Sequence, residues 1–220
     1  MSGTLVIWDL DGTFTDSRPW IIESYRHILG LAGLPVPSDE VFSTMMCGSL
    51  HDHIHTMFGK HGKEADEIAL EYRRYYAENC FLKVELFDGV RETLEELDGM
   101  GVTQVVATMK LESAAVELLD RLEVSGHFVT IRGGDPSGKV TKADMIRACV
   151  STGEYSRVVM VGDCPSDMRA AREAGVEFLA AAFGYGYPAE RCRSEGLDFV
   201  EDIRDVPGFI GSNCSEPLVK

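Results

Sequence analysis

The chain has 220 residues, 45% of them hydrophobic, with 22 glycines and 8 prolines, which is enough to bury a full core in one domain or in one domain carrying an insertion. Its 36 acidic residues against 21 basic ones give a formal charge of -15, which argues against a nucleic-acid partner because phosphate backbones are met by basic faces. No apolar run approaches the roughly 20 residues that span a bilayer and no signal peptide precedes the first strand, so a soluble, cytoplasmic protein without a membrane partner is expected.

The first apolar run, Leu5 to Trp8, predicts a strand buried on both faces, and it leads straight into Asp9, Leu10, Asp11, Gly12 and Thr13. From Ser17 to about Leu86 the pattern turns helical: Ile21, Tyr25, Ile28 and Leu29, then Ile54, Met57 and Phe58, then Ala65, Ile68, Ala69, Tyr72 and Tyr76. Ser17 with Pro19 opens one helix, "GLPVPSDE" separates it from the next, and Gly59 and Gly62 mark a further turn. Within this stretch "MCGSLHDHI", Met46 to Ile54, is the expected substrate-facing loop, with Gly48 allowing close approach and Ser49 and His51 meeting a polar group; an ordinary helix-to-helix turn is the alternative. His51 and His55 are four apart on one helix face, but without a third ligand they read as a solvated face rather than a zinc site.

From Phe87 onward helices and strands alternate. Helices are predicted over Val90–Met100, Ser113–Leu122, Lys142–Val150 and Asp167–Ala174, and strands over Thr103–Thr108, His127–Ile131, Arg157–Gly162 and Glu177–Ala182. The alternation predicts an α/β fold: a doubly wound, Rossmann-like parallel sheet whose ligand sits at the carboxyl ends of the strands. The expected division is a core of residues 1–16 and 85–220 with an inserted helical cap of 17–84, and the last ten residues are expected to fray. The six scattered cysteines form no CxxC pair and are expected to be reduced thiols, Cys164 being a small buried residue rather than a ligand.

Asp9 and Asp11 leave the first strand pointing the same way, and Asp163 follows another buried strand with Asp167 one helical turn on. Like charges that close require a cation or a shared proton between them. If the two strands are neighbours, the carboxylates converge into a hard-oxygen site suited to Mg2+, which keeps positions for water and phosphate. Gly12 and Gly162 let the backbone approach, and amides in the turn after Asp9 are expected to cradle an anion.

Over nearly its whole length the chain resembles the haloacid dehalogenase-like phosphohydrolases. "DLDGTFTDS" resembles the first motif of that family, "VVATMK" the second, "TKADMI" the third and "VGDCPSDMRAAREAG" the fourth, and the helical insertion is similar to the cap of its phosphoglycolate phosphatase-like subgroup. Met109 stands where the second motif often has Asn, and "ELFDGV" where the subgroup has a Pro-Gly turn. The resemblance implies that Asp9 is a nucleophile forming an aspartyl-phosphate and that Asp11 is general acid and then base. It implies Thr108 and Lys142 as catalytic groups that also bind phosphate, beside Leu10, Gly12 and Met109. It implies Mg2+ held by Asp9, the Asp11 carbonyl and Asp163 with Asp167 in support. Thr108 as a simple N-cap, and Lys139 in place of Lys142, are the competing assignments. The implied activity is hydrolysis of a small phosphate ester by a monomer or homodimer. A phosphomutase of the beta-phosphoglucomutase type, for which Thr13 would be unusual, and a non-catalytic phosphate-binding protein remain as alternatives.

Overall fold

The computed structural model describes residues 3–44 and 47–212. Leu5, Val6, Ile7 and Trp8 are all fully buried in β1 (Gly3–Trp8), so this strand is covered on both faces. The chain then enters four helices: α1 (Arg18–Leu31), α2 (Asp39–Thr44), α3 (Leu50–Phe58) and α4 (Gly62–Asn79). It returns through α5 (Val90–Gly99), β2 (Thr103–Leu111), α6 (Glu112–Arg121), β3 (Ile131–Gly134), α7 (Lys142–Val150) and β4 (Tyr155–Gly162). It closes with α8 (Pro165–Ala174), β5 (Glu177–Ala181), α9 (Ala189–Glu195), β6 (Phe199–Val200) and α10 (Val206–Ser212).

The strands form one parallel sheet in the order β3-β2-β1-β4-β5-β6. Alternate residues of β1 serve opposite layers. Val6 and Trp8 pack with α5, α6 and α10, whereas Leu5 and Ile7 pack with α7 and α8. The order reverses at β1, which lies between β2 and β4 with Trp8 opposite Val106 and Val161. A crevice opens outside the carboxyl ends of the strands at such a reversal.

The helical insert has its own apolar clusters, Ile22, Tyr25, Ile28, Leu29 and Phe42 in one and Ile54, Ala65 and Ala69 in another, while Tyr76 of α4 and the adjoining Cys80 join the core under the sheet. Its entry and exit run side by side. The Asp16 amide donates to Glu85 O (3.1 Å) and the Phe87 amide to Phe14 O (2.8 Å).

Most predicted elements fall where the periodicity put them, with three differences. β2 continues to Leu111, past the expected end at Thr108. The strand expected over His127–Ile131 is corrected: Ser125–His127 form a 3-10 turn, and β3 begins only at Ile131, opposite Val106. His127 is drawn to Asp98, 2.6 Å from its Nδ1, and Phe128 turns into the core, so this apolar run fills space instead of pairing. The short C-terminal elements α9, β6 and α10 carried too few residues for a periodic signal; Gly211 and Ser212 of the tail expected to fray close α10, and 213–220 lie outside the described residues.

Gln104 ties the sheet to its cover. Its Oε1 accepts from Trp8 Nε1 (3.1 Å), and its Nε2 donates to Leu94 O (3.0 Å) and Asp98 Oδ1 (2.8 Å). Gln104→Ala would strand the buried indole N–H and remove the bonds to Leu94 O and Asp98 besides opening a cavity, so a loss of about 2–3 kcal/mol in urea unfolding is expected. A loss below about 0.5 kcal/mol would mean that water replaces the amide at all three partners.

Candidate active site

The pairing of β1 with β4 brings the two acidic strand ends together. The Asp9 amide continues the ladder to Val161 O (2.9 Å), and Asp163 follows the last residue of β4 directly. Gly12, in the left-handed region at φ 86°, lies so close to Asp163 that a Cβ there would sit 2.5 Å from Asp163 Oδ2. Asp163 is fully buried, and Asp9 and Asp167 are nearly so.

One ammonium joins this cluster. Thr141 and Asp144 form a capping box that starts α7, which sets Lys142 on the first turn with its Nζ 2.8 Å from Asp9 Oδ1 and 2.5 Å from Asp167 Oδ1. The other oxygen of Asp167 accepts from the Cys164 amide (3.0 Å) at the start of α8. Burial alone would lower the Lys142 pKa, but Asp167 and then Asp9 outweigh it and hold the ammonium charged. Burial pushes Asp9 up to about 6, with Lys142 opposing and Asp167 adding to the rise. Asp163 is raised well above the carboxylate range by burial, then by Asp167 and Asp9, against the Tyr185 amide and Lys142. That amide donates to Asp163 Oδ2 at 2.8 Å.

Asp11 faces elsewhere. Its carboxylate pairs with Lys110 Nζ (3.0 Å), which also donates to Tyr76 Oη (3.3 Å) and lies 4.6 Å over the Tyr76 ring. Burial would lower Lys110, but Asp11 and Tyr76 together raise it. Between the sheet ends and the insert lies a cleft of about 240 Å³. Asp9, Asp11, Thr108, Met109 and Lys142 line it from below, and Tyr25, Leu50, His53, Tyr72 and Arg73 from the insert. Tyr25 donates to His53 Nδ1 (2.6 Å), and burial lowers the His53 pKa.

Asp9, Asp163, Asp167 and Lys142 therefore converge, whereas the Asp11 side chain, expected to point the same way as Asp9, is corrected: it turns to Lys110. Lys142, not Lys139, reaches Asp9; Lys139 is an exposed loop residue whose amide donates to Asp135. Thr108 is buried inside β2 and accepts from the Lys110 amide (3.3 Å), so it caps no helix; Leu111 stands at the N-terminus of α6. The turn amides are partly engaged already: Gly12 donates to Thr15 O (3.0 Å), and the Leu10 amide supports the Asp9 carboxylate. Of the loop 46–54, Met46 lies outside the described residues, and Gly48, Leu50 and His53 line the cleft where Ser49 and His51 were expected. Ser49 is spent on the capping box of α3, His51 lies 3.2 Å from Asp66, and His55 packs on His61. The expectation of reduced thiols also fails for one pair, because Cys47 and Cys164 are joined by a disulfide across 117 residues; Cys80, Cys149 and Cys192 are free and buried, and Cys214 lies outside the described residues. Only the folding of the insert over the sheet ends brings that pair together.

Lys110 and Tyr185 were missed. Lys110 stands two residues beyond Thr108, so strand alternation could have placed both on the cleft side. Tyr185 lies in "GYGYP", and its only signal is glycine on both sides after a buried strand. Its hydroxyl donates to Thr15 O (3.1 Å) and accepts from the Arg18 amide (3.0 Å), linking the site to the entry of the insert.

Orphaned oxygens test whether a cation fits. Asp163 Oδ1 is buried without a hydrogen-bond partner, and Asp9 Oδ1 has the Lys142 ammonium at ion-pair distance but not in hydrogen-bond geometry. Three carboxylates against one ammonium leave room for two positive charges, and the donors are oxygens. Cys164 Sγ lies within 4.8 Å of Asp163 and Asp167 ligand atoms, but its bond to Cys47 leaves no thiolate, so the set fits a hard divalent ion.

The family model described as haloacid dehalogenase-like hydrolase matches residues 6–181. The chain belongs to that family. It is 34% identical over 188 residues to the tyrosine-protein kinase PtkA of Mycobacterium tuberculosis, covering 84% of this chain but only 64% of that relative's length. A solved structure of PtkA superposes with a TM-score of 0.81 at 30% identity, over 96% of this chain and 99% of that one. The phosphoglycolate phosphatase of Caulobacter vibrioides is 30% identical over 217 residues, 94% of this chain and 90% of the relative. A haloacid dehalogenase-like family hydrolase of Streptococcus pneumoniae has a TM-score of 0.82 at 27% identity, covering 94% of this chain and 98% of that one. Among the described residues no helix is long and apolar enough to cross a membrane.

The raised pKa of Asp9 has a signed consequence for stability. A carboxyl that titrates near 6 when folded and 3.8 when unfolded favours the fold below about pH 4, and that contribution is lost as pH rises through 6. In chelator, Asp9→Asn should therefore gain on the wild type by about 2–3 kcal/mol between pH 4 and pH 7, read from urea midpoints. A difference that stays constant with pH would show that Asp9 does not titrate in this window.

Proposed function

We propose that the chain is a Mg2+-dependent phosphatase that hydrolyses a small phosphomonoester through an aspartyl-phosphate on Asp9, with residues 17–84 as a cap over the site. The observation that carries this reading is the pair of buried carboxylate oxygens at adjacent strand ends, Asp163 Oδ1 without a hydrogen-bond partner and Asp9 Oδ1 with only the Lys142 ammonium, which stays charged, at ion-pair distance. The phosphoglycolate phosphatase relative supports the same class of substrate, a compact phosphate ester.

Asp9 and Asp163, with the Asp11 carbonyl and support from Asp167, would hold the cation, which would screen Asp9 from the phosphate and polarise its oxygens. The Asp9 carboxylate attacks phosphorus, forming the O–P bond as the ester oxygen leaves. Asp11, which as the carboxylate paired with Lys110 must first take up a proton, gives it to that oxygen and later takes one from the water that attacks the same phosphorus, releasing phosphate and restoring Asp9. Lys142 neutralises charge as phosphate and Asp9 meet. The Thr108 hydroxyl accepts from Lys110 N, which leaves its own proton for a phosphoryl oxygen. The Lys110 ion pair holds Asp11 at the mouth of the cleft, on the side from which the leaving group enters.

Hydrolysis of para-nitrophenyl phosphate tests the chemistry. Activity should vanish in chelator and return with Mg2+, and Asp9→Asn should lower kcat by roughly 10³-fold or more. An Asn variant that keeps a tenth of the activity would remove Asp9 as nucleophile.

Lys142→Ala should lose roughly 10²-fold in kcat while Lys139→Ala stays near wild type. The reverse ranking would move the third motif upstream. A panel of phosphoglycolate, sugar phosphates and nucleoside monophosphates would then name the ester, and recovery of the phosphoryl group on an added tyrosine instead of in water would assign the acceptor chemistry named for PtkA.

A further inference from the structure

The Cys47–Cys164 bond joins two parts of the molecule that meet only across the cleft. Cys164 is buried between Asp163 and Asp167, and its amide holds the Asp167 carboxylate. Cys47 is partly exposed and belongs to the insert: its carbonyl accepts from His53 Nε2 (3.4 Å), the ring whose other nitrogen accepts from Tyr25. Gly186 fits against both sulfurs, since a Cβ there would lie 2.5 Å from Cys47 Sγ and 3.2 Å from Cys164 Sγ. The next residue back, Tyr185, is the one whose amide orients Asp163. The bridge therefore touches the insert, the turn carrying two of the site carboxylates, and the loop that aims one of them.

We propose that Cys47 and Cys164 are a reversible thiol–disulfide site that locks the insert over the cleft, with small-molecule disulfides and dithiols as its reaction partners. The insert is otherwise joined covalently to the sheet only by its two adjacent connections at 14–16 and 85–87. Rotation about those connections separates Cys47 from Cys164, so the bond holds the cleft shut and its reduction frees the insert to open. Cys80, Cys149 and Cys192 are buried and unbonded, so the chemistry is confined to this pair among the described residues.

In oxidation by oxidised glutathione, the Cys47 thiolate attacks one glutathione sulfur, forming a mixed disulfide and expelling one glutathione thiolate. The Cys164 thiolate then attacks the Cys47 sulfur, closing the bond and expelling the second glutathione. Two electrons pass from the protein dithiol to the small disulfide, and the two cysteine protons end on the two glutathione thiols. A dithiol such as dithiothreitol reverses this, entering at Cys47 as the more exposed sulfur.

The test uses the full chain equilibrated with oxidised glutathione or with dithiothreitol. Peptide mapping after alkylation should recover a Cys47–Cys164 linked peptide only in the first sample. Hydrogen exchange should be faster in α3 after reduction by roughly fivefold or more, an ordinary coupling between two sites, while amides of β1 stay unchanged. Cys47→Ser should show the fast exchange in both buffers. Absence of the linked peptide in oxidised glutathione, or a linked peptide with the same α3 exchange in both states, would overturn the lock. Phosphatase turnover, which rests on the function proposed above, is read in parallel and should fall on oxidation and recover on reduction. Absent turnover in both states would count against that function alone, because linkage and exchange decide the lock without it.

Discussion

The site depends on a charge imbalance that the fold imposes and only partly relieves. Placing β1 beside β4 delivers Asp9 and Asp163 to one spot, and the turn after β4 adds Asp167. Among the described residues Lys142 is the one cation at ion-pair distance from Asp9 and Asp167, and α7 exists at that point because Thr141 and Asp144 start it there. Buried like charges are tolerated where an external cation completes them, and the strain appears here as raised carboxyl pKa values instead of distorted backbone. The large apolar faces on both sides of the sheet supply the stability that such a cluster consumes.

Two carboxylates separated by a single residue end in different surroundings. Asp9 is enclosed with Asp163, Asp167 and Lys142, whereas Asp11 turns toward Lys110 and Tyr76 beneath the insert. Environment therefore sets the two carboxylates apart, one in a buried acidic cluster and the other in an ion pair at the cleft, and under the function proposed above that difference suits them to different roles. The insert contributes to that division, since Tyr76 belongs to α4.

Much of this was legible in the chain. Strands β1, β4 and β5 are apolar runs with no alternation, because both faces are covered, and such runs announce themselves. Asp9 and Asp163 follow from their positions at the ends of such strands, and Lys142 from the resemblance of "TKADMI", at the start of a helix, to the family's third motif. What the chain hides is set by tertiary approach. β3 is an edge strand of four residues, two of them glycines that lie against the backbone of residues 109–112, so packing and not propensity makes it a strand. Lys110 and Asp11 are separated by 99 residues and Cys47 and Cys164 by 117, and neither pair carries a local signal. Gly48, Leu50 and His53 line the cleft where Ser49 and His51 were expected, because Ser49 was needed to start α3.

The neighbouring entry and exit of the insert carry a consequence for how the family can diversify. With Asp16 bonded to Glu85 and Phe14 to Phe87, the two ends of the inserted segment are fixed a single hydrogen bond apart by the core itself. Lengthening, shortening or replacing the segment then changes a closed loop whose ends are already joined, and the entropy of closing such a loop grows only slowly with its length. The sheet keeps its register whatever hangs from that stem. Selection can remodel the face of the insert that lines the cleft while the acidic cluster below it stays as it is.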